Sequence, residues 1–360
     1  MGIPPVIGRA GVRAQPWPVM AGRRLLNHRP GDATVERPCP PAHQGSGSIA
    51  MTEPATTTAT LPLRPTVPAF TRLPARSLVT VEGEDALKFL DGLVSGDLDP
   101  VADGRACYGA LLTPQGKILH DLIVARAGEG RLLVECATGL AADLIRRLTL
   151  YKLRAKVKIA PAAGLAVAVA FGPGVQGPGG PGVQSNGNDV LQVPDPRKDG
   201  LGLRLWGPEA ALEAFAADTG LTPVPEAAWH LHRIEAGVPE GPEDLPPEQG
   251  LALEHDLDRL NGVAFDKGCY VGQEVTTRSK FRGQVRKRLF VVDATDGAPL
   301  PAPGTPVMAG EREAGQLRSA IGPVGLALLR IDRTAEATDG SGPALTVQGL
   351  TITARPRADG

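Results

Sequence analysis

An α+β chain that ends in a small β-barrel is the architecture the sequence predicts, and three observations carry it. Residues 107–136 read as apolar strands separated by Gly-containing turns. Strand–helix units follow as far as residue 219, and past Val285 the apolar runs shorten to strand length between Gly and Pro turns.

Residues 1–66 are rich in Pro, Gly, Ala and Arg, with no apolar period, which predicts no fixed structure. Arg9, Arg13, Arg23, Arg24 and Arg29 precede any acid, as in an organellar transit peptide, yet residues 1–31 contain no serine. Met51 before a Thr/Ala/Pro stretch offers a natural start, so a dispensable or misassigned extension is the favoured reading. Order begins near Phe70. Residues 77–81 form a strand, and 84–93 place Ala86, Phe89, Leu90 and Leu93 on one helical face. Strands at 107–112 and 118–125 are joined by the turn Thr113-Pro114-Gln115-Gly116, and 131–136 pairs back across Gly128-Glu129-Gly130 before a helix at 140–150. Residues 165–171 form a buried strand, 172–187 a mobile Gly/Pro surface loop, and 190–219 a second strand–helix unit. A helix at 226–236 starts after Pro225 and stops at Gly237. Short strands at 288–292, 305–309, 321–329 and 345–354 build the closing barrel.

At 360 residues and 42% hydrophobic content, the chain suits two or three packed domains with room for a ligand cavity. A net charge of −1, with both signs interspersed, argues against direct nucleic-acid binding. Its most apolar stretches, 165–171 and 325–331, are strand-sized, so the expectation is a soluble protein without a membrane partner. Cys39, Cys107, Cys136 and Cys269 share no metal-ligand spacing, so no metal site is expected, and sparse cysteine points to a reducing compartment.

The segment with the densest chemistry runs from Asn261 through Lys267-Gly268-Cys269-Tyr270-Val271-Gly272-Gln273-Glu274 to Arg288. It sets a thiol beside a cation and before a helix expected to open within 270–276. Both neighbours favour the thiolate, which would make Cys269 nucleophilic. A cysteine used only for packing has no need of a Lys, flanking glycines and a Gln-Glu pair. Arg278, Lys280, Arg282, Arg286, Lys287 and Arg288 are either a solvated face or a partner for a carboxylate or phosphate.

That string, followed by Phe281-Arg282-Gly283, resembles the signature of the YgfZ-type folate-binding proteins, whose eukaryotic relatives serve mitochondrial iron–sulfur assembly. The likeness extends over residues 70–355 through Thr113-Pro114-Gln115-Gly116-Lys117-Ile118-Leu119-His120-Asp121, Leu150-Tyr151-Lys152-Leu153-Arg154, Arg233-Ile234-Glu235-Ala236-Gly237 and Leu245-Pro246-Pro247-Glu248-Gln249-Gly250. Two of these elements are also similar to glycine-cleavage T-protein aminomethyltransferases. The resemblance implies the aminomethyltransferase-like fold, three domains around a central folate-holding channel. Residues 67–162 with 225–285 would form the folate-binding domain, 163–224 an inserted α+β domain and 286–357 the barrel.

It further implies tetrahydrofolate or a folate derivative as cofactor, contacted by Trp229, Arg233, Glu235, Tyr270, Gln273, Glu274 and Arg282. Glu235 would take the pterin N–H groups, and Arg233 and Arg282 the glutamate tail. Without the resemblance, Trp229 reads as a core residue and His230 and His232 as structural. Lys117 and His120 stand where aminomethyltransferases carry a glycine and an acid, which leaves Asp121 as the remaining catalytic carboxylate beside Cys269 and Lys267. The implied role is iron–sulfur cluster assembly or repair, with cluster enzymes or assembly proteins as clients, indirectly supporting tRNA thiolation. The alternative is a folate-dependent aminomethyl- or methyltransferase. Cytoplasmic location is expected, or the mitochondrial matrix if the Arg-rich start is a transit peptide.

Overall fold

The structure, a computed structural model, describes residues 63–175, 182–185, 189–283 and 285–356. The unstructured-start expectation lies outside these residues up to residue 62, as does half of the 172–187 loop. Strands Cys107–Leu112 and Ile118–Arg126 are apolar along nearly their whole length, because both faces of their sheet are covered. With Arg131–Ala137, Arg76–Glu82 and Lys158–Pro161 they make a five-stranded antiparallel sheet in that order. Helices Ala86–Asp91 and Ala141–Tyr151 pack on one face through Leu90, Leu144 and Leu148.

The other face shares its apolar core with a six-stranded sheet. Its order is Thr222–Pro223, Ala69–Arg72, Ala166–Phe171, Leu203–Gly207, Leu191–Pro194, Gln184–Ser185. The first two strands pair in parallel and the rest antiparallel, so Ala69–Arg72 sits in the second sheet although it precedes every strand of the first. Helix Glu209–Asp218 covers the outside through Leu212, Phe215 and Ala216.

Helix Glu226–Glu235 begins after Pro225 as expected, and Leu231 and Ile234 pack against Val291, Val324 and Leu326 of the barrel. The barrel closes from six strands, Lys287–Ala294, Val324–Arg330, Arg312–Ile321, Pro306–Ala309, Leu345–Val347 and Leu350–Pro356. Residues 345–354 are therefore a hairpin rather than one strand. Gln348 and Gly349 take φ 47° and 83°, the left-handed pair that a two-residue turn requires. Similarly, the 321–329 strand is the second half of a hairpin that starts at Arg312.

Candidate functional site

Charged side chains placed at inward positions of apolar strands generate the core of the site. Arg76, Asp121 and Glu135 stand on the five-stranded sheet, Arg204 and Trp206 on the six-stranded one, and Asp195 and Arg197 just beyond strand Leu191–Pro194. Arg76 donates through Nε to Glu135 at 2.9 Å and through Nη1 to both oxygens of Asp121 at 3.2 and 3.1 Å. Arg204 donates to Asp195 at 3.1 Å, Glu135 at 3.0 Å and Glu240 at 2.8 Å, and the Trp206 indole N–H completes Glu135 at 2.8 Å. Arg197 clamps Asp195 with two bonds of 2.9 and 2.7 Å.

The network continues from Glu240 to Arg233, 3.7 Å away, and Arg233 donates to Asp244 at 2.6 Å. Asp244 also accepts from the backbone N–H of Ser319 in the barrel at 2.8 Å. All of these side chains are buried, so each ion must be paired to persist. Burial pushes the Asp195 carboxyl up, but Arg197 and Arg204 outweigh it and hold it at about 2. Glu240 is likewise held well below the usual range, burial being overcome by Arg204, Arg76, Arg197 and Arg233.

Asp121 and Arg233 thus belong to one ionic chain. Gly241 closes over Asp121 so tightly that a Cβ there would lie 2.5 Å from Oδ1. Trp229 is 1% exposed, edge-on to Phe171 and 5.0 Å under the Arg204 guanidinium. Glu235, on the same helix, is one-third exposed and accepts a two-pronged bond from Arg64 at 2.9 and 2.7 Å. His120 points to the other face of its strand, 3.0 Å from Asp143, with its pKa lowered mainly by burial.

The Cys269 segment forms a second, outer group. Gly272 takes φ 85°, and a Cβ there would meet the Thr113 carbonyl at 2.6 Å, so the glycine lets the segment lie directly on the 113–116 turn. Two sequence motifs distant along the chain are thereby brought together. The helix starts at Gln273, inside the expected 270–276 stretch, and Cys269 lies three residues before its Gly272 cap. Cys269 is exposed and free, whereas Cys107 and Cys136 are buried. Burial pushes the Cys107 thiol up to about 12.

Lys267 donates to Asp91 at 2.7 Å and to the carbonyls of Val94 at 3.0 Å and Gly96 at 2.8 Å, which uses its three hydrogens. It is a fastener for the loop. Gln273 donates to the Gly268 carbonyl at 3.4 Å, and Glu274 pairs with Arg278. Arg282 is exposed beside Phe281, and Tyr270 is buried in the central apolar core.

Sequence reasoning missed Arg76, Tyr108, Glu135, Asp195, Arg197, Arg204, Glu240 and Asp244. The available signal was a lone charge inside an apolar run, as in Leu203-Arg204-Leu205-Trp206. A cleft of about 440 Å³ reaches Asp195 and Tyr108 past Cys107 and Asn261. The Tyr108 hydroxyl, the Trp229 indole N–H and Arg76 Nη2 are buried without a hydrogen-bond partner. Those unmet donors suit an acceptor-bearing polar ligand such as a pterin. Among the described residues no cluster of His, Cys, Asp and Glu could hold a metal ion.

Comparison with known proteins adds family evidence. Residues 76–178 match the GCVT N-terminal domain and residues 286–358 the CAF17 C-terminal beta-barrel domain. The mitochondrial iron–sulfur cluster assembly factor IBA57 of Homo sapiens is 37% identical over 72% of this chain and 76% of its own length. The Mus musculus protein of the same name is 36% identical over the same shares. The IBA57 homolog of Neurospora crassa is 33% identical over 65% of this chain and 56% of its own. Among solved structures, the glycine cleavage aminomethyltransferase T of Bartonella henselae superposes with a TM-score of 0.68 at 18% identity, covering 82% of this chain and 86% of that one. The fold is that of the aminomethyltransferases, completed by the closed barrel.

Proposed function

Because the chain belongs to the IBA57 family of iron–sulfur cluster assembly factors, we propose that it acts in iron–sulfur cluster assembly or repair, with Cys269 as the working thiol. The observation that carries this reading is the placement of that thiol. Cys269 is exposed on a loop fastened from below by Lys267 and pressed onto the 113–116 turn, so it meets incoming proteins while its backbone stays fixed. A thiol so presented can ligate a cluster iron or attack an electrophile. Cluster-bearing enzymes or assembly proteins are the clients, and tRNA thiolation is supported through them. The names of the relatives favour the mitochondrial alternative over a cytoplasmic location.

Tetrahydrofolate or a derivative is the proposed cofactor, supported by the aminomethyltransferase fold and by the unmet Tyr108 hydroxyl that lines the cleft. Glu235, Trp229 and Tyr108 would hold it, and bound folate would supply a one-carbon carrier. Glu235 as a pterin acceptor requires Arg64 to give way. The transferase reading is favoured by the fold alone and needs no thiol. It would gain if purified protein turned over an aminomethyl donor unaffected by loss of Cys269.

The deciding experiment restores a strain lacking this chain with wild type or Cys269→Ala and assays a cluster enzyme. Cys269→Ala should accumulate normally and melt like wild type, yet leave the enzyme inactive. Full restoration by that variant would end the thiol role.

A further inference from the structure

Helix Ala141–Tyr151 ends in a left-handed stop of the usual kind, but the residue that occupies it is not the one local preference selects. Leu153, just past the Lys152 cap, takes φ 41° in the left-handed region, where a Cβ crowds the neighbouring carbonyl and glycine is the usual occupant. Leu153 is 90% exposed, and Leu150 and Tyr151 in the last helical turn are 66% and 43% exposed. Backbone strain opposes folding and apolar surface left exposed contributes nothing to it, and here the two coincide on a single turn. A leucine kept where glycine would stop the helix without strain, and kept out of the core, points to use.

Along the chain, the charge that follows Asp143 is one-sided. Residues 144–188 contain no Asp or Glu, although the whole chain carries a net charge of only −1. Arg146 and Arg147 pair with Asp143, and Lys156 with Glu84. Lys152 and Arg154 flank the apolar residues with no carboxylate partner among the described residues, and Lys158 follows on the next strand opposite Glu82. An apolar centre bordered by free cations has the anatomy of a protein-docking hot spot, with Tyr and Arg among its residues.

We propose that Leu150, Tyr151 and Leu153, bordered by Lys152, Arg154 and Lys158, dock into an acid-rimmed apolar pocket on a partner protein. Charge complementarity selects the acidic rim. A membrane surface is the poorer occupant, because an interfacial helix carries its apolar face along its length. Here the exposed face of the helix begins with Ala142 and Arg146 and becomes apolar only at its end. The proposal is independent of the chemistry at Cys269, which lies on another element.

The test places a photo-crosslinking amino acid at position 153 of the full chain in its own cells and identifies the adduct by mass spectrometry. The captured protein is then purified, and its affinity is measured for wild type, Leu153→Gly and the double variant Lys152→Glu with Arg154→Glu. Leu153→Gly relieves the left-handed strain, so it keeps the fold and should melt no lower than wild type. The crosslinked peptide should be acidic, both variants should bind roughly tenfold or more weakly, and wild-type affinity should fall as salt rises. Wild-type affinity in Leu153→Gly, a crosslinked face without acids, an adduct only to a second copy of this chain, or no protein adduct would overturn the proposal. So would Leu153-dependent sedimentation with phosphatidylglycerol vesicles, which would assign the knob to a lipid surface.

Discussion

His255 is fully buried, its Nδ1 lies 3.1 Å from the Leu251 carbonyl, and its Nε2 has no partner. Burial above all lowers its pKa to about 4, so the folded chain keeps the ring neutral at pH values where the unfolded chain protonates it. The unfolded state therefore binds the extra proton, and stability is lost as pH falls from about 6.5 towards 4. Between pH 7 and 5 this one ring should account for on the order of 2 kcal/mol. Urea unfolding at both values should show His255→Asn less stable at pH 7 but with a shallower pH dependence, and equal slopes would refute the assignment. Arg64 gives a second prediction at this scale. Its exposed bond to Glu235 competes with any pterin there, so Arg64→Ala should tighten tetrahydrofolate binding by a factor of roughly 2 to 5 in a calorimetric titration. No change would place the pterin elsewhere. Residues of this kind were unevenly legible. Cys269 announced itself through its neighbours, whereas Arg204 meets Glu135 from 69 residues away, a pairing that no local pattern encodes.

Elements were legible where their period was unbroken. The helix after Pro225 and the strands on either side of the 113–116 turn lie where capping, apolar runs and turn residues put them. Legibility failed where two short strands share one apolar run, as at Gln348-Gly349, because a left-handed pair without Asn or Asp gives a weak turn signal. It failed again for Ala69–Arg72, whose partners Ala166–Phe171 lie far along the chain. Helix Ala141–Tyr151 shows the reverse case, in which the boundary is legible and the residue beyond it violates local preference. Glycine at position 153 would remove the crowding that leucine suffers at φ 41°, and the net effect after the extra unfolded-state entropy should be stabilising. Leu153→Gly should gain on the order of 1 kcal/mol in urea unfolding, because the leucine it removes is almost wholly exposed. A loss instead would mean that the side chain packs in solution.

At the scale of the molecule, one ionic chain runs through joints that separate apolar clusters make pair by pair. Arg76 and Glu135 tie the five-stranded sheet to Arg204 of the six-stranded sheet, Glu240 passes the connection to Arg233 of the helix, and Asp244 hands it to the barrel. Asp244 is the terminal link. One oxygen accepts from Arg233 and from the Glu240 backbone, and the other accepts from Ser319, all without solvent. Removing the carboxylate leaves two buried N–H groups without an acceptor and the buried Arg233 guanidinium with Glu240, 3.7 Å away, as its remaining counter-charge, a loss of about 3 kcal/mol. The barrel keeps its own apolar interior of Val292, Leu317, Leu329 and Ile352 and so can persist when that link is cut. Asp244→Ala should therefore split a single thermal transition into two, with the barrel melting separately in calorimetry. Asp244→Asn, which preserves the acceptor towards Ser319 but not the charge towards Arg233, should lower the melting temperature by less and keep one transition. If Asp244→Ala also unfolds in one step, the barrel is held by Leu231 and Ile234 against Val291 and Leu326 and by Arg288 on Asp256 and Asp258, and the ionic chain serves the site rather than the assembly of the domains.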